Sequence, residues 1–177
     1  SDRIKNISKQ GRKTIRNVVV NARINNETPY EITKRIAENI GLNGRQEQAL
    51  WNYQKKLEDK GMSGVKIEQE INKKKKEYYK YRARMIATTE TTRVDSESKI
   101  ATWDKMNEDG IIDYKDYGKK WVAVLDTRTS RICKSLDGEI VGMAKAKYFE
   151  DPEGKIKTIV APPAHVNCRS RLIIVRL

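Results

Sequence analysis

The stretch "SGVKIEQEINKKKKEYYKYRARMIATTETTR", residues 63–93, decides how the rest of the chain is read. Ile67, Ile71, Tyr78, Tyr81 and Met85 recur at near-heptad spacing, which places them on one face of a helix. The spacing predicts a helix that starts near Ser63 or Gly64 and runs through Glu90 towards Trp103. Lys73, Lys74, Lys75 and Lys76 are consecutive, so they cover every side of one helical turn. Burying four unpaired lysines is too costly, so they face solvent or phosphates. With Lys80, Arg82 and Arg84 they form a candidate surface for DNA, bound without sequence preference. Tyr78, Tyr79 and Tyr81 beside them suit stacking on nucleic acid, and equally suit core contacts of the helix.

Towards the N-terminus the chain reads as further helices. Residues 3–24 carry Ile4, Ile7, Ile15, Val18, Val19 and Ala22 at mostly three- and four-residue spacing, with Gly11 as a weak point. That is a basic amphipathic helix. In "TPYEITKRIAENIG" (28–41) Thr28 is an N-cap, Pro29 takes the first helical position and Glu31 closes a capping box. Ile32, Ile36, Ala37 and Ile40 make its apolar face, and Gly41 is its expected stop. "NGRQEQALWNYQKKLEDKG" (43–61) repeats the pattern, with Asn43 as cap, Gln46 three residues on, Leu50, Tyr53 and Leu57 on one face, and Gly61 at the end.

Towards the C-terminus the character changes. "NEDG" (107–110) is a turn, "KKWVAVLD" (119–126) a strand holding the bulky Trp121, and "DGEIVGM" (137–143) a turn and a short strand. "EDPEG" (150–154) is a loop, Pro162-Pro163 breaks regular structure, and "RLIIVRL" (171–177) is a final strand. The expected fold is α+β. A helical region over 1–106, with a long basic helix, precedes a small antiparallel β-containing unit over 107–177.

Composition bounds the function. The 177 residues suit one medium domain or two small ones. Hydrophobic residues make up 37% and charged residues 34%, with a mean hydropathy of −0.79, which describes a polar chain with a modest core. No apolar run of about 18 residues implies a membrane span, and no signal-peptide pattern opens the chain. The net charge is +13, unevenly placed. Residues 1–90 hold 21 Lys+Arg against 11 Asp+Glu, whereas residues 91–177 hold 16 against 13. The basic first half expects a polyanionic partner, either nucleic acid or an acidic protein surface.

Two cysteines do not make a disulfide scaffold. Cys133, His165 and Cys168 form instead a candidate metal set, because thiolates and imidazole are the ligands zinc prefers. His165-x-x-Cys168 is one close ligand pair, while Ser130 stands where Cys133 would want a second thiolate. Asp126 or water remains open as a fourth ligand. Two other readings of the same residues remain open. Cys133 with His165 and Asp126 or Asn167 is a thiol-nucleophile arrangement. His165 with Asp126 or Asp137 on a metal is a nuclease arrangement. A simple buried pair of cysteines beside a loop histidine is the alternative to all three.

The order of motifs adds a resemblance. "RARMIATTETTR" (82–93), "WVAVLDTRTSRICKSLDGEIV" (121–141) and "PPAHVNCRSRL" (162–172) follow one another. In this order they resemble the phage Mu F-like head morphogenesis, or minor head protein, family of tailed bacteriophages. The matching positions include Glu90, Trp121, Asp126, Arg128, Cys133, Asp137, Gly138, His165, Asn167, Cys168 and Arg169. The chain departs at Thr88, where the family has Arg, and at Ser130 and Ser170, where it has Cys. The resemblance implies a minor structural component of a phage head and no enzymatic activity. Its implied partners are the portal, other head proteins and packaged DNA. Its implied place is the virion, in the head interior or portal region, after assembly in the host cytoplasm. Zinc, if bound, would occupy a thinned site. Glu90, Trp121, Asp126, Arg128, Asp137 and Gly138 are expected to be structural, with Asp126 and Arg128 pairing at a strand-to-turn corner and Asp137-Gly138 making a hairpin turn. A toxin or effector enzyme, and a stand-alone DNA-binding protein with a degenerate zinc unit, are the competing functions.

Overall fold

A computed structural model describes residues 7–150 and 156–177, and the expected loop at "EDPEG" falls largely outside them. The fold is α+β. Four helices come first: α1 (Lys9–Ile24), α2 (Pro29–Ala37), α3 (Gly44–Asp59) and α4 (Gly64–Glu108). Then follow β1 (Tyr117–Val122), α5 (Arg131–Leu136), β2 (Ile140–Gly142), β3 (Lys147–Glu150), β4 (Ile156–Ile159) and β5 (Arg171–Arg176).

The helix starts obey local chemistry. Ser8 caps α1 by accepting the Gly11 amide at 3.0 Å, so this helix begins at Lys9, and residues 3–6 of the expected helix lie outside the described residues. The Thr28–Glu31 and Asn43–Gln46 capping boxes are both formed. Gly61 takes a left-handed conformation (φ 69°) after α3, as a helix-ending glycine should. Gly41 does not serve as the expected left-handed stop, since α2 already ends at Ala37 with Glu38 as C-cap.

The chain forms two compact units, residues 1–87 and 88–177, and α4 contributes turns to both. The expected boundary at 106/107 is therefore displaced into the helix. The reason is packing: Trp103, with Ile100 and Met106, belongs to the core of the second unit, so the last turns of α4 cannot be separated from it.

In the first unit α1 packs on α2. Ile15, Val19 and Ala22 of α1 and Ile32 and Ile36 of α2 are buried, along with Leu57, Ile67, Ala83, Ile86 and Ala87. Gln46 donates to the Tyr78 carbonyl at 3.4 Å, and the Tyr53 hydroxyl meets Glu70 at 3.5 Å, tying α3 to α4. Tyr81, expected on the apolar face, is 63% exposed. The buried register of α4 runs instead through Arg82, Ala83, Ile86 and Ala87.

In the second unit β1 is the central strand of a three-stranded antiparallel sheet ordered β2-β1-β5. Trp121 pairs with Leu172 across it, and both are fully buried. The strand stops at Val122, short of the expected Asp126, because Val124 and Leu125 leave the core and become exposed. β3 and β4 form a separate antiparallel pair. Gly118 is required by close approach: a Cβ there would meet Ile140 Cγ2 at 2.9 Å and Leu177 Cδ2 at 3.0 Å. Asp137 and Gly138 do not make a hairpin turn. They form the exit from α5, which intervenes between β1 and β2. Gly138 (φ 78°) donates its amide to the Trp121 carbonyl, and the Asp137 carboxylate accepts the Ala123 amide at 2.8 Å.

Candidate metal centre

Three segments of the second unit converge. The α5 turn brings Ser130 and Cys133, the 164–170 segment brings His165, Cys168 and Ser170, and α4 supplies the support beneath. Ser130 caps α5 by accepting the Cys133 amide at 3.3 Å, which fixes the first turn and aims Cys133 inward. The turn before it is closed by Asp126, which accepts the Arg128 amide at 2.9 Å, and by Thr129, whose hydroxyl accepts the Asp126 amide at 2.8 Å.

The 165–168 turn is held from α4. Thr89, wholly buried, accepts the Asn167 amide at 2.8 Å, and the Thr92 hydroxyl donates to the Cys168 carbonyl at 2.8 Å. Asn167 sits in the left-handed region (φ 61°), which asparagine tolerates better than most residues. This turn puts His165 and Cys168 on the same side, facing Cys133.

The geometry is compact. Cys133 Sγ lies 3.7 Å from Cys168 Sγ and 3.0 Å from His165 Nε2, and Ser130 Oγ lies 2.7 Å from the same nitrogen. The three potential ligand atoms of Cys133, His165 and Cys168 fall within 4.8 Å of one another. The His165 Nδ1–H donates to the Val166 carbonyl at 2.8 Å, which leaves Nε2 as the lone pair directed at the thiols. The two thiols share their ionisation unequally. The hydrogen bond from Cys133 lowers Cys168, helped by His165 and by the amides of Ser170 and Ala164, while burial opposes it. The bond to Cys168 and burial push Cys133 up. Cys168 is thus the favoured thiolate, already cradled by backbone N–H groups.

These residues fit a tetrahedral zinc ion. With Zn–S near 2.3 Å, two thiolates on one ion lie about 3.8 Å apart, close to the separation present. A thiolate and an imidazole on one ion lie about 3.5 Å apart, so His165 would retreat by roughly half an ångström from its hydrogen-bonded position. The backbone anchor on Nδ1 is the usual support of a metal-binding histidine.

Asp126 does not join this set. Arg169 grips it with two hydrogen bonds, 2.8 and 2.6 Å, while the expected partner Arg128 reaches only 3.4 Å with its guanidinium. Arg169 holds the Asp126 carboxyl well below the usual carboxylate range, with burial opposing. Engaged in this way, Asp126 is not the carboxylate of a His165 triad, whose Nδ1 is bound to a backbone carbonyl instead. Asn167 offers its amide to Thr89 and helps shape the turn. Asp137 is engaged with the Ala123 amide.

The other expected site residues fall in three places. Glu90 is buried and forms an ion pair with Arg93 at 3.3 Å, and Trp121 fills the core. Lys73, Lys75, Lys76, Lys80 and Arg84 are exposed on α4. Lys74 is partly covered, pairing with Glu77 at 3.1 Å. Arg82 is 7% exposed and its guanidinium is weakened as an acid-base cation by burial, so it belongs to the packing of the first unit and not to a DNA-facing surface. Sequence reading missed roles for Arg169, Thr89, Thr92 and Ser130. Only Ser130 carried a local signal, a serine three residues before a buried cysteine at a helix start.

Among the described residues no helix is long and apolar enough to cross a membrane. No curated protein and no solved structure matches the chain. The family model described as "Phage Mu protein F like protein" matches residues 13–173, nearly the whole chain, including both units and every residue of the Cys133–His165–Cys168 cluster. The chain is therefore a member of the phage Mu protein F like family, and with it a minor capsid protein of bacteriophage head morphogenesis.

Proposed function

We propose that this head protein works without enzymatic chemistry. It associates with the portal in the assembling head, and its basic helical unit lies against the packaged DNA. The observation that carries this reading is charge segregation: residues 1–87 hold 21 Lys+Arg against 10 Asp+Glu, whereas residues 88–177 hold 16 against 14. Lysines 73, 75, 76 and 80 and Arg84 stand exposed on α4, and Lys9 and Lys13 on α1. Such a surface neutralises phosphates and releases counterions without reading sequence. The second unit acts as a rigid module, with Cys133, His165 and Cys168 binding zinc as a structural clamp. When bound, the ion would tie α5 to the 164–170 turn. Assembly in the host cytoplasm and residence in the head interior or portal region follow from these partners.

The test is retention of duplex DNA by the purified chain across a salt series, followed by co-purification with the portal of the same phage. Salt-sensitive binding of unrelated DNA sequences is expected, with Lys73→Gln, Lys75→Gln, Lys76→Gln and Lys80→Gln together flattening the salt slope by about four phosphate contacts. Cleavage of plasmid in the presence of divalent metal would overturn the non-enzymatic reading in favour of a nuclease. Salt-independent binding would remove the DNA role.

A further inference from the structure

We infer that the Cys133–His165–Cys168 centre, once loaded, keeps one coordination position for a small anion from solution. This rests on the zinc reading above. Among the described residues the cluster supplies three ligand atoms, two sulfurs and one imidazole nitrogen. A tetrahedral ion takes four, and three protein donors plus an exchangeable ligand is the open form of such a site. A further oxygen beside the cluster is that of Ser130, 2.7 Å from His165 Nε2. It is a neutral hydroxyl already committed to the Cys133 amide, a far weaker donor than a thiolate. Ser170 is buried beside the cluster and serves it differently, through hydrogen bonds to the two thiols.

What lies on the remaining side suits an anion. A recess lined by Cys133 and His165 of the cluster together with Arg128, Ser130, Asn167 and Arg169 has a volume of about 10 Å3, enough for about one water molecule. A divalent ion with two thiolates is neutral overall. Arg128 and Arg169 then outweigh Asp126 by one positive charge at the mouth of the recess. Arg128 is free to reorient, being 70% exposed and only loosely engaged at 3.4 Å. The Ser130 hydroxyl now faces His165 Nε2. When that nitrogen turns to a metal, the hydroxyl is released to donate to a metal-bound anion. The ligand class is a monodentate anion of one to three atoms.

The experiment loads the full chain with Co2+, whose visible d–d bands report coordination, and titrates it with sodium azide. The expected result is a saturable shift of those bands in the unaltered chain and in Ser130→Ala, because neither loses a metal donor. Ser130→Cys supplies a third thiolate. It is expected to gain thiolate-to-cobalt charge-transfer intensity and to lose the azide response. Cobalt bound at one equivalent with bands that azide does not move would overturn the open position while leaving the metal site standing. An azide response absent from the unaltered chain but present in Ser130→Ala would overturn it too, by making Ser130 itself the fourth ligand. Absence of any thiolate-to-cobalt band would overturn the metal site and the open position together. Circular dichroism of each variant separates these outcomes from misfolding.

Discussion

Asn167 donates its backbone amide to the hydroxyl of Thr89 across 78 positions of sequence, at 2.8 Å and with Thr89 wholly buried. The bond seats the 165–168 turn on α4. Thr89→Val keeps the shape and removes the acceptor, leaving a covered N–H without a partner. The expected cost is about 1–3 kcal/mol in urea unfolding. Thr89→Ser restores the acceptor and should recover most of that loss. A loss in Thr89→Ser with none in Thr89→Val would mean that the methyl group, and not the hydroxyl, is what matters.

The Asp126–Arg169 fork should show itself in acid. Its folded carboxyl lies below the unfolded value near 4, so its contribution is complete above that value and is lost as pH falls through the folded one. The denaturation midpoint of the unaltered chain should therefore exceed that of Asp126→Asn at neutral pH, with the gap closing below about pH 4. Arg169→Lys keeps the charge but not the two-pronged geometry, and should behave like Asp126→Asn in this comparison. A gap that persists unchanged at pH 2 would contradict the assignment.

Gly118→Ala tests the close approach of β2 to β1. The added methyl must displace Ile140 and Leu177, and the nearby Val141 carbonyl stands 3.1 Å from it. A loss of about 1–3 kcal/mol is expected, typical of overpacking, read as a drop in thermal midpoint. Gly142, opposite it on β2, meets only the flexible Lys145 side chain at 3.8 Å, so Gly142→Ala should cost much less.

Metal loading should stabilise the second unit by mass action. Zinc at 100 times its dissociation constant adds about 2.7 kcal/mol, and a chelator removes it. Cys133→Ser, Cys168→Ser and His165→Ala should each abolish the chelator-sensitive part of the thermal midpoint. If the midpoint is indifferent to both zinc and chelator, the cluster is a hydrogen-bonded core element only.

Much of this architecture was legible because its signals are local. The α2 and α3 caps, the start of α4 and the final strand at Arg171–Arg176 are each written within a few neighbouring residues. Cys133, His165 and Cys168 were legible as a set from residue chemistry alone. The rest depended on distance along the chain. Arg169 finds Asp126 from 43 positions away, and no periodicity announces which of two arginines will win it. The six-residue α5 is too short for a helical repeat to be visible. The division inside α4 leaves no mark either, because helical spacing reports which face is buried and not which core buries it. Tyr81 and Arg82 changed places for a related reason: a near-heptad count drifts on a helix of 3.6 residues per turn.

The order β2-β1-β5 also has a consequence in time. The strand at the middle of the sheet is made first and must wait for its neighbours. Trp121 meets Leu172 only after about fifty further residues have been synthesised. The helices of the first unit, by contrast, find their partners nearby in sequence. Loop closure over such a span is slow relative to helix pairing, so the second unit should finish folding last. A chain truncated before Arg171 would carry an ordered helical half and a second half that lacks the strand covering its central tryptophan, a form suited to chaperones and proteases and not to a virion.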